Sequence, residues 1–375
     1  MRYLNKYLRN LSPYKVASHK IWDVQEAERP NILKLDWNEA TIPPSPLVKK
    51  RLAALIEGPE FYYLYPSTYN PDLHQLLAAY TNMPLEHVQY FASSDSLHEY
   101  ITRVFVSVGD PVLILGPTYD NFRLACESQG ARIEYSELSE TFIFDASKFE
   151  ADIRRVCPSL IYICNPNNPT GTFIEVDYIE SLLQKFPESL FLIDEAYYEF
   201  SGRSAKDLVL QYDNILVTRT LSKAFALANF RMGYLISCKE NINNISKVRN
   251  PKNFTTFSQE AAIAVLTDVA YMQQYVLAVK EAKQWFINLL NEYPEKLKPF
   301  AGEGNFVLIK FRETAVRDRF IEFLESNNIL IRNLTHSILL KDCVRITIGT
   351  KEQMKYVGSF IQQYFADKYE KVSAV

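Results

Sequence analysis

A lysine placed between a buried strand and a second apolar stretch is chemically unusual. In Thr218-Arg219-Thr220-Leu221-Ser222-Lys223-Ala224-Phe225, the run Ile215-Leu216-Val217 lies just before and Ala224 to Ala228 just after. An ammonium there loses hydration, which lowers its pKa and frees the amine to form a Schiff base with a carbonyl. Eight residues on, Arg231 offers a planar guanidinium whose fork suits the oxygens of a phosphate. Alone, such a lysine reads as an ordinary side chain with a buried stem and a wet head; the company it keeps changes that. Asp194 ends an apolar run and opens Asp194-Glu195-Ala196-Tyr197, where its plainest role is a helix N-cap. Asn165-Pro166-Asn167-Asn168-Pro169-Thr170-Gly171 is a sharp turn. Arg345 sits inside Cys343-Val344-Arg345-Ile346-Thr347, and an arginine in an apolar strand calls for an anionic partner, from a substrate or from a structural salt bridge.

These residues need elements that bring them together. Val112-Leu113-Ile114-Leu115, Leu160-Ile161-Tyr162-Ile163-Cys164, Leu190-Phe191-Leu192-Ile193 and Ile215-Leu216-Val217-Thr218 are short apolar runs bounded by turn formers, with helical stretches between them. Such runs predict an α/β fold with a mainly parallel central sheet covered by helices on both faces. Functional groups in these sheets gather at the carboxyl ends of strands, and Asn165 to Gly171, Asp194 to Tyr197 and Thr220 to Lys223 each follow directly on one. Beyond about residue 258 the pattern changes. A long helix is expected over Ser258 to about Asn291, then a strand at 306–309, a helix around Arg317–Asn327, and strands at 329–331 and 344–347, together a small α+β domain. The proline-rich Thr41 to Pro46 marks the passage out of an N-terminal arm. The expected division is an arm over 1–45, a large domain over 46–270 and a small domain over 271–375.

Ser222-Lys223-Ala224-Phe225 with Arg231-Met232-Gly233 resembles the lysine signature of fold-type I pyridoxal-phosphate (PLP) aminotransferases of class I/II, particularly the histidinol-phosphate aminotransferase branch. The Asn165–Gly171 and Asp194–Tyr197 blocks are similar to the same branch, in the same order, and the matching blocks fall between residues 38 and 350. The resemblance implies PLP-transferase fold type I, with PLP carried as a Schiff base on Lys223. Lys223, Asp194 and Tyr197 would then be catalytic. Asp194 would face the protonated pyridine nitrogen and keep the ring cationic, Asn168 and Tyr197 would hold the phenolic oxygen, and Tyr119 would stack on the ring. Ser94, Asp95, Thr220, Ser222 and Arg231 would form the phosphate cradle, with Tyr65 reaching in from the partner subunit of a homodimer. Arg345 would clamp the substrate carboxylate, Arg332 would assist with an anionic group, and Asn38 would belong to the arm that closes over the site, a surface turn being its alternative.

Three positions depart from the family pattern. The cradle turn reads Ala92-Ser93-Ser94-Asp95-Ser96 where the family has Gly-Ser-Asp-Glu or Gly-Ala-Asp-Glu. Backbone N–H groups at the helix start remain available to a phosphate, but glycine's access to positive φ is lost at Ser93, so a differently shaped turn is expected. An acidic residue is missing at Ser96, and the arginine that usually precedes the tyrosine is Leu64. These departures leave room for a paralogue with its own substrate.

The activity implied is ping-pong transamination in amino-acid metabolism, with glutamate as donor and a small anionic keto compound as acceptor; the paired Arg332 and Arg345 favour an anionic one. A PLP decarboxylase of a phosphorylated amino acid shares the same lysine and aspartate. A non-catalytic PLP-sensing module needs an attached basic DNA-binding domain, and only some 35 residues precede the matched region. A doubly wound nucleotide-binding protein would carry GxGxxG or GxxxxGK[ST] after a strand, and neither occurs.

Bulk properties agree. A chain of 375 residues suits a large domain plus a smaller one. Net charge of −3 argues against capture of nucleic acid or an anionic membrane. Five cysteines without a CxxC pair read as buried free thiols in a reducing cytoplasm. The start shows no secretory signal and no run reaches the roughly 18 apolar residues of a membrane helix. Five histidines show no metal spacing and read as structural.

Overall fold

The computed structural model describes residues 3, 5–9, 11–13, 20–334 and 337–366. Among them the first strand, β1 (Leu33–Leu35), joins a sheet made mostly of residues from the other end of the chain. The central sheet is built from β2 (Val88–Phe91), β3 (Pro111–Gly116), β4 (Arg132–Glu137), β5 (Leu160–Cys164), β6 (Leu190–Asp194), β7 (Ile215–Thr220) and β8 (Gly233–Ser237). The second sheet adds β9 (Leu297–Phe300), β10 (Phe306–Phe311), β11 (Ile329–Asn333) and β12 (Cys343–Thr347).

The central order is β2-β8-β7-β6-β5-β3-β4. Pairs from β7 through β4 are parallel, while β8 runs antiparallel to both of its neighbours. Every residue of β5, β7 and β8 is buried, as expected of strands covered on both faces. Because successive side chains point to opposite faces, each strand feeds two cores. Ile161, Ile163, Phe191, Ile193, Ile215 and Val217 face the larger one. Leu160, Tyr162, Cys164, Leu192 and Leu216 face a smaller one closed by Leu97, Ile101 and Phe122 from the helices Ser94–Phe105 and Asn121–Ser128.

The four apolar runs of the central region all form strands. Of the unpredicted ones, β4 is a polar edge strand, β2 has only four residues, and β8 opens on Gly233, a turn former, just after the Lys223–Arg231 segment. The single long helix expected over 258–291 is two helices, Thr256–Thr267 and Val269–Leu290, bent by 75°. Asp268 at the break has non-helical backbone angles and accepts a hydrogen bond from Ser45 Oγ at 2.5 Å. That tie was invisible to helical periodicity because its partner is far away in sequence. Among the described residues no single helix is long and apolar enough to cross a membrane.

The second sheet runs β1-β11-β12-β10-β9, with β1 parallel to β11 and the other pairs antiparallel. It meets the Asn165–Gly171 turn through backbone contact: the Glu303 N–H donates to the Gly171 carbonyl at 2.7 Å, and a Cβ on Gly302 would stand 2.4 Å from that same peptide. Side chains there would push the two sheets apart.

The cysteines are unpaired. Cys126, Cys164 and Cys343 are buried and Cys238 partly so. Cys157 is exposed, a correction to the expected burial: it caps the helix Ala146–Val156 in the left-handed region, where the backbone turns outward.

Candidate active site

Lys223 follows β7, so the buried strand carries it to the carboxyl edge of the sheet. Its Nζ donates to the Trp37 carbonyl at 3.1 Å and lies 5.9 Å from the centre of the Tyr197 ring. Burial, and then the Arg345 guanidinium, push its pKa down to about 8, against smaller upward pulls from Glu39 and Asp95. Only a free amine can attack an aldehyde, so capture of one by Lys223 should follow its deprotonation. When PLP is added to the apoenzyme, the rate of absorbance development should rise about tenfold from pH 7 to pH 9 and then level off. A profile that is flat, or that rises only above pH 10, would show an ordinary lysine.

Asp194 ends β6 and is buried. Tyr162 OH donates to its Oδ2 at 2.8 Å, and the Ala196 N–H reaches Oδ1 at 3.2 Å. Among the described residues its ion-pair neighbour is His98, with Nε2 3.8 Å from Oδ2. A buried carboxylate without an arginine or lysine is costly, and a cationic ring nitrogen is the kind of group that answers it. On that ground the residues present fit PLP.

Two hydrogen-bonded chains frame the cleft. Asn38 Nδ2 donates to Tyr197 OH at 2.9 Å, and the Asn38 N–H donates to Thr347 Oγ1 at 3.0 Å. Asn38 is fully buried, so the surface-turn alternative is overturned; its backbone and side chain bond to Thr347 and Asn305. Arg345 Nη1 donates to Asn168 Oδ1 at 2.6 Å and Nη2 to the Asp36 carbonyl at 2.5 Å. Arg332 stands directly opposite Arg345 in the β11–β12 register, where paired side chains share a face.

At the start of the helix Ser94–Phe105, the N–H groups of Ser94 and Asp95 lie in the first turn and have no helical acceptor. The expected change of turn shape is corrected: Ser93 holds φ 86° and ψ 158°, a conformation otherwise almost confined to glycine. Tight packing enforces it, since a Cβ on Gly233 would lie 2.4 Å from Ser94 N. Ser93 Oγ repays part of the strain by accepting the Ser96 N–H at 3.1 Å. Ser93→Gly should therefore stabilise the protein by about 1 kcal/mol, the relief of roughly 1–3 kcal/mol of strain outweighing the lost cap and the freer unfolded chain. A higher urea midpoint at unchanged m-value is the check, and an unchanged or lower midpoint refutes it.

The Asp95 side chain has a part that the backbone reading did not include. Its carboxylate accepts from Arg231 Nη2 at 3.0 Å, Tyr119 OH at 3.2 Å and Asn121 Nδ2 at 3.0 Å, tying three neighbouring groups together. Thr220 Oγ1 accepts the Ser222 N–H at 3.1 Å and lies 2.9 Å from Ser222 Oγ. Tyr65 is elsewhere: it is 78 % exposed with Lys252 Nζ over its ring, and Tyr62, Tyr63 and Leu64 are exposed beside it.

Sequence reasoning missed Tyr162, His98, Thr218 and the Asp36 and Trp37 carbonyls. Tyr162 carried a faint signal, a hydroxyl in an otherwise apolar strand. Carbonyls carry none. Of the histidines, His74 and His87 bond backbone carbonyls of Val88 and Ser237, as structural residues do. His98 instead adjoins Asp194, while His19 and His336 lie outside the described residues. No group of three or more metal-ligating side chains is found among the described residues.

An α/β sheet of this topology, with a buried aspartate ending one strand and a lysine just past the end of the next, has the arrangement that a PLP-dependent enzyme requires. The model of aminotransferase class I and II matches residues 30–361, and the chain belongs to that family. It is 43 % identical to a dihydroxyacetone phosphate transaminase of Campylobacter jejuni, with 96 % of each chain covered. It is 34 % identical to a histidinol-phosphate aminotransferase of Ruminiclostridium cellulolyticum, over 87 % of this chain and 90 % of that one. Among solved structures, a histidinol-phosphate aminotransferase of Sinorhizobium meliloti in complex with pyridoxal-5'-phosphate shares the fold, with a TM-score of 0.86, 23 % identity and 98 % of each chain covered. The chain is a PLP-dependent aminotransferase acting on small molecules.

Proposed function

We propose that this aminotransferase takes its amino group from glutamate and delivers it to a small phosphorylated ketone. The observation that carries the proposal is the 43 % identity, over 96 % of both chains, to an enzyme named for dihydroxyacetone phosphate. The register pair Arg332 and Arg345 supports an anionic acceptor.

PLP, when bound, supplies an aldehyde that takes up the amino group and a cationic ring that draws electrons from the carbon losing its proton. Asp194 holds the proton on the ring nitrogen. Tyr197 accepts from Asn38, which leaves its own hydroxyl proton to donate to the phenolic oxygen. Asn168 spends its carbonyl on Arg345 and keeps its amide N–H groups for the same oxygen. Tyr119 covers the ring face. The Ser94 and Asp95 N–H groups, with Thr220, Ser222 and Arg231, hold the phosphate. Arg345 binds the substrate carboxylate, Arg332 a second anionic group, and Asn38 closes the arm side. Lys223, as the free amine, would take up and return the proton lost from the substrate carbon.

Residues 1–45 are assigned to the arm, 46–270 to the large domain and 271–375 to the small one. The bend at Asp268 and the place of β1 beside β11 support this division. The exposed Tyr62–Tyr65 run is assigned to a homodimer contact that delivers Tyr65 to the partner's phosphate site. Mixing Tyr65→Ala and Lys223→Ala subunits should then restore activity through hybrid dimers with one intact site. A reducing cytoplasm suits the unpaired thiols.

The test is spectral. Glutamate should abolish the resting absorbance band, and dihydroxyacetone phosphate should bring it back. If glutamate leaves the band unchanged while a phosphorylated amino acid releases carbon dioxide, the decarboxylase alternative stands instead.

A further inference from the structure

The Asp194 carboxylate is enclosed by groups from four places. Tyr162 OH on β5 donates to Oδ2 at 2.8 Å, the Ala196 N–H to Oδ1 at 3.2 Å, Thr218 Oγ1 on β7 lies 3.4 Å from Oδ1, and His98 Nε2 lies 3.8 Å from Oδ2 and 3.2 Å from Thr218 Oγ1. The phenol makes the shortest of these contacts. β5 and β6 pair Tyr162 with Leu192, which puts Asp194 two residues further along the same face. The Tyr162 ring is fixed in turn. It is fully buried, stacks on Phe122 with centroids 4.5 Å apart and planes 13° apart, and meets the edge of His98 at 5.9 Å. Burial and the neighbouring carboxylate hold its pKa well above the usual tyrosine value, so it stays protonated and serves as a donor.

We infer that Tyr162 is a positioning residue for this reaction, holding Asp194 in the orientation that retains the cofactor. The inference rests on the role proposed above for Asp194. A hydrogen bond from a fixed phenol fixes the plane of a carboxylate. It also leaves lone pairs for the ring-nitrogen proton, because an ionised carboxylate accepts at about four positions. The Phe122 stack keeps the hydroxyl from turning away.

Tyr162→Phe removes one oxygen and keeps the ring and its stack. Hydrogen bonds to charged groups contribute enough for about a tenfold effect. The apoenzyme of the variant should bind PLP about tenfold more weakly, followed by protein fluorescence with no amino donor or acceptor present. In the PLP-loaded enzyme kcat should fall about tenfold at unchanged KM for the donor. Asp194→Asn supplies the second arm: adding Tyr162→Phe to it should change PLP affinity by less than about twofold, since the group it acts through is gone. Unaltered PLP affinity and kcat in Tyr162→Phe would overturn the inference, and so would an equal tenfold loss in the Asp194→Asn background. Because PLP affinity is read without substrate, a failure of the phosphorylated-ketone proposal would leave this result untouched.

Discussion

Alanine in place of Lys223 is expected to lower turnover by about 10⁴-fold, the upper end of what one positioned general acid/base contributes. The side chain has two tasks. In the proposed function it would be the nucleophile that anchors the cofactor, and afterwards the carrier of the migrating proton. Both use the neutral amine, whose pKa of about 8 leaves a usable fraction deprotonated near neutrality. The neighbours cannot take over: Arg345 stays protonated at any working pH, and burial raises the Tyr197 phenol above its ordinary range. The fold should be spared, because the amine's contacts are a hydrogen bond to the Trp37 carbonyl and a 5.9 Å approach to the Tyr197 ring. Small primary amines added to the variant should restore part of the rate, since a diffusible base can replace the proton carrier. Borohydride should attach the cofactor to the Lys223 peptide in the wild type and to no peptide in the variant. More than a tenth of wild-type turnover in Lys223→Ala, or a label on another peptide, would refute the assignment.

Arg345→Leu is the second large effect. The guanidinium is buried and splits its two ends between Asn168 Oδ1 and the Asp36 carbonyl, so it also links the turn bearing Asn168 to the arm. Losing a buried, charge-assisted fork costs about 3–4 kcal/mol of carboxylate binding, or some 10²–10³-fold in kcat/KM for glutamate. Most of that should appear in KM. Reactivity toward a simple amine without a carboxylate should fall far less, which separates a lost clamp from general damage. The Lys223 pKa should also move up, because the Arg345 charge is the largest influence after burial that depresses it; the rise in apoenzyme capture rate would then shift to higher pH. Arg345→Lys keeps the charge but not the planar fork, and should recover only part of the affinity. Equal losses for donors with and without a carboxylate would count against the clamp.

Much of the scaffold was legible before any coordinates. Leu160–Cys164 was read as a buried strand and is one, because five apolar residues between turn formers have few other ways to hide both faces. The segments Asn165–Gly171, Asp194–Tyr197 and Leu221–Lys223 lie at or just past strand ends, where α/β sheets expose their loops, and the sequence already set them there in that order. The bend at Asp268 was not legible, since its helices keep an apolar pattern across the break. Nor was the shape of the cradle turn. Residue type at Ser93 argued for a change, and packing of Gly233 against Ser94 kept the glycine-like backbone at the expense of strain.

The order of residue types along the chain, by itself, determined which groups could do chemistry: an amine beside apolar residues, a carboxylate at a strand end, a guanidinium inside a strand. Those are local properties, set by side-chain type and the few residues on either side. Tertiary structure decided what each group meets. Asn38 reaches Tyr197 across 159 residues, Arg345 reaches Asn168 across 177, and Lys223 reaches the Trp37 carbonyl across 186. Such pairings arise only when two sheets pack against one another, because the hydrogen bonds that select them depend on separations in space that no local pattern encodes.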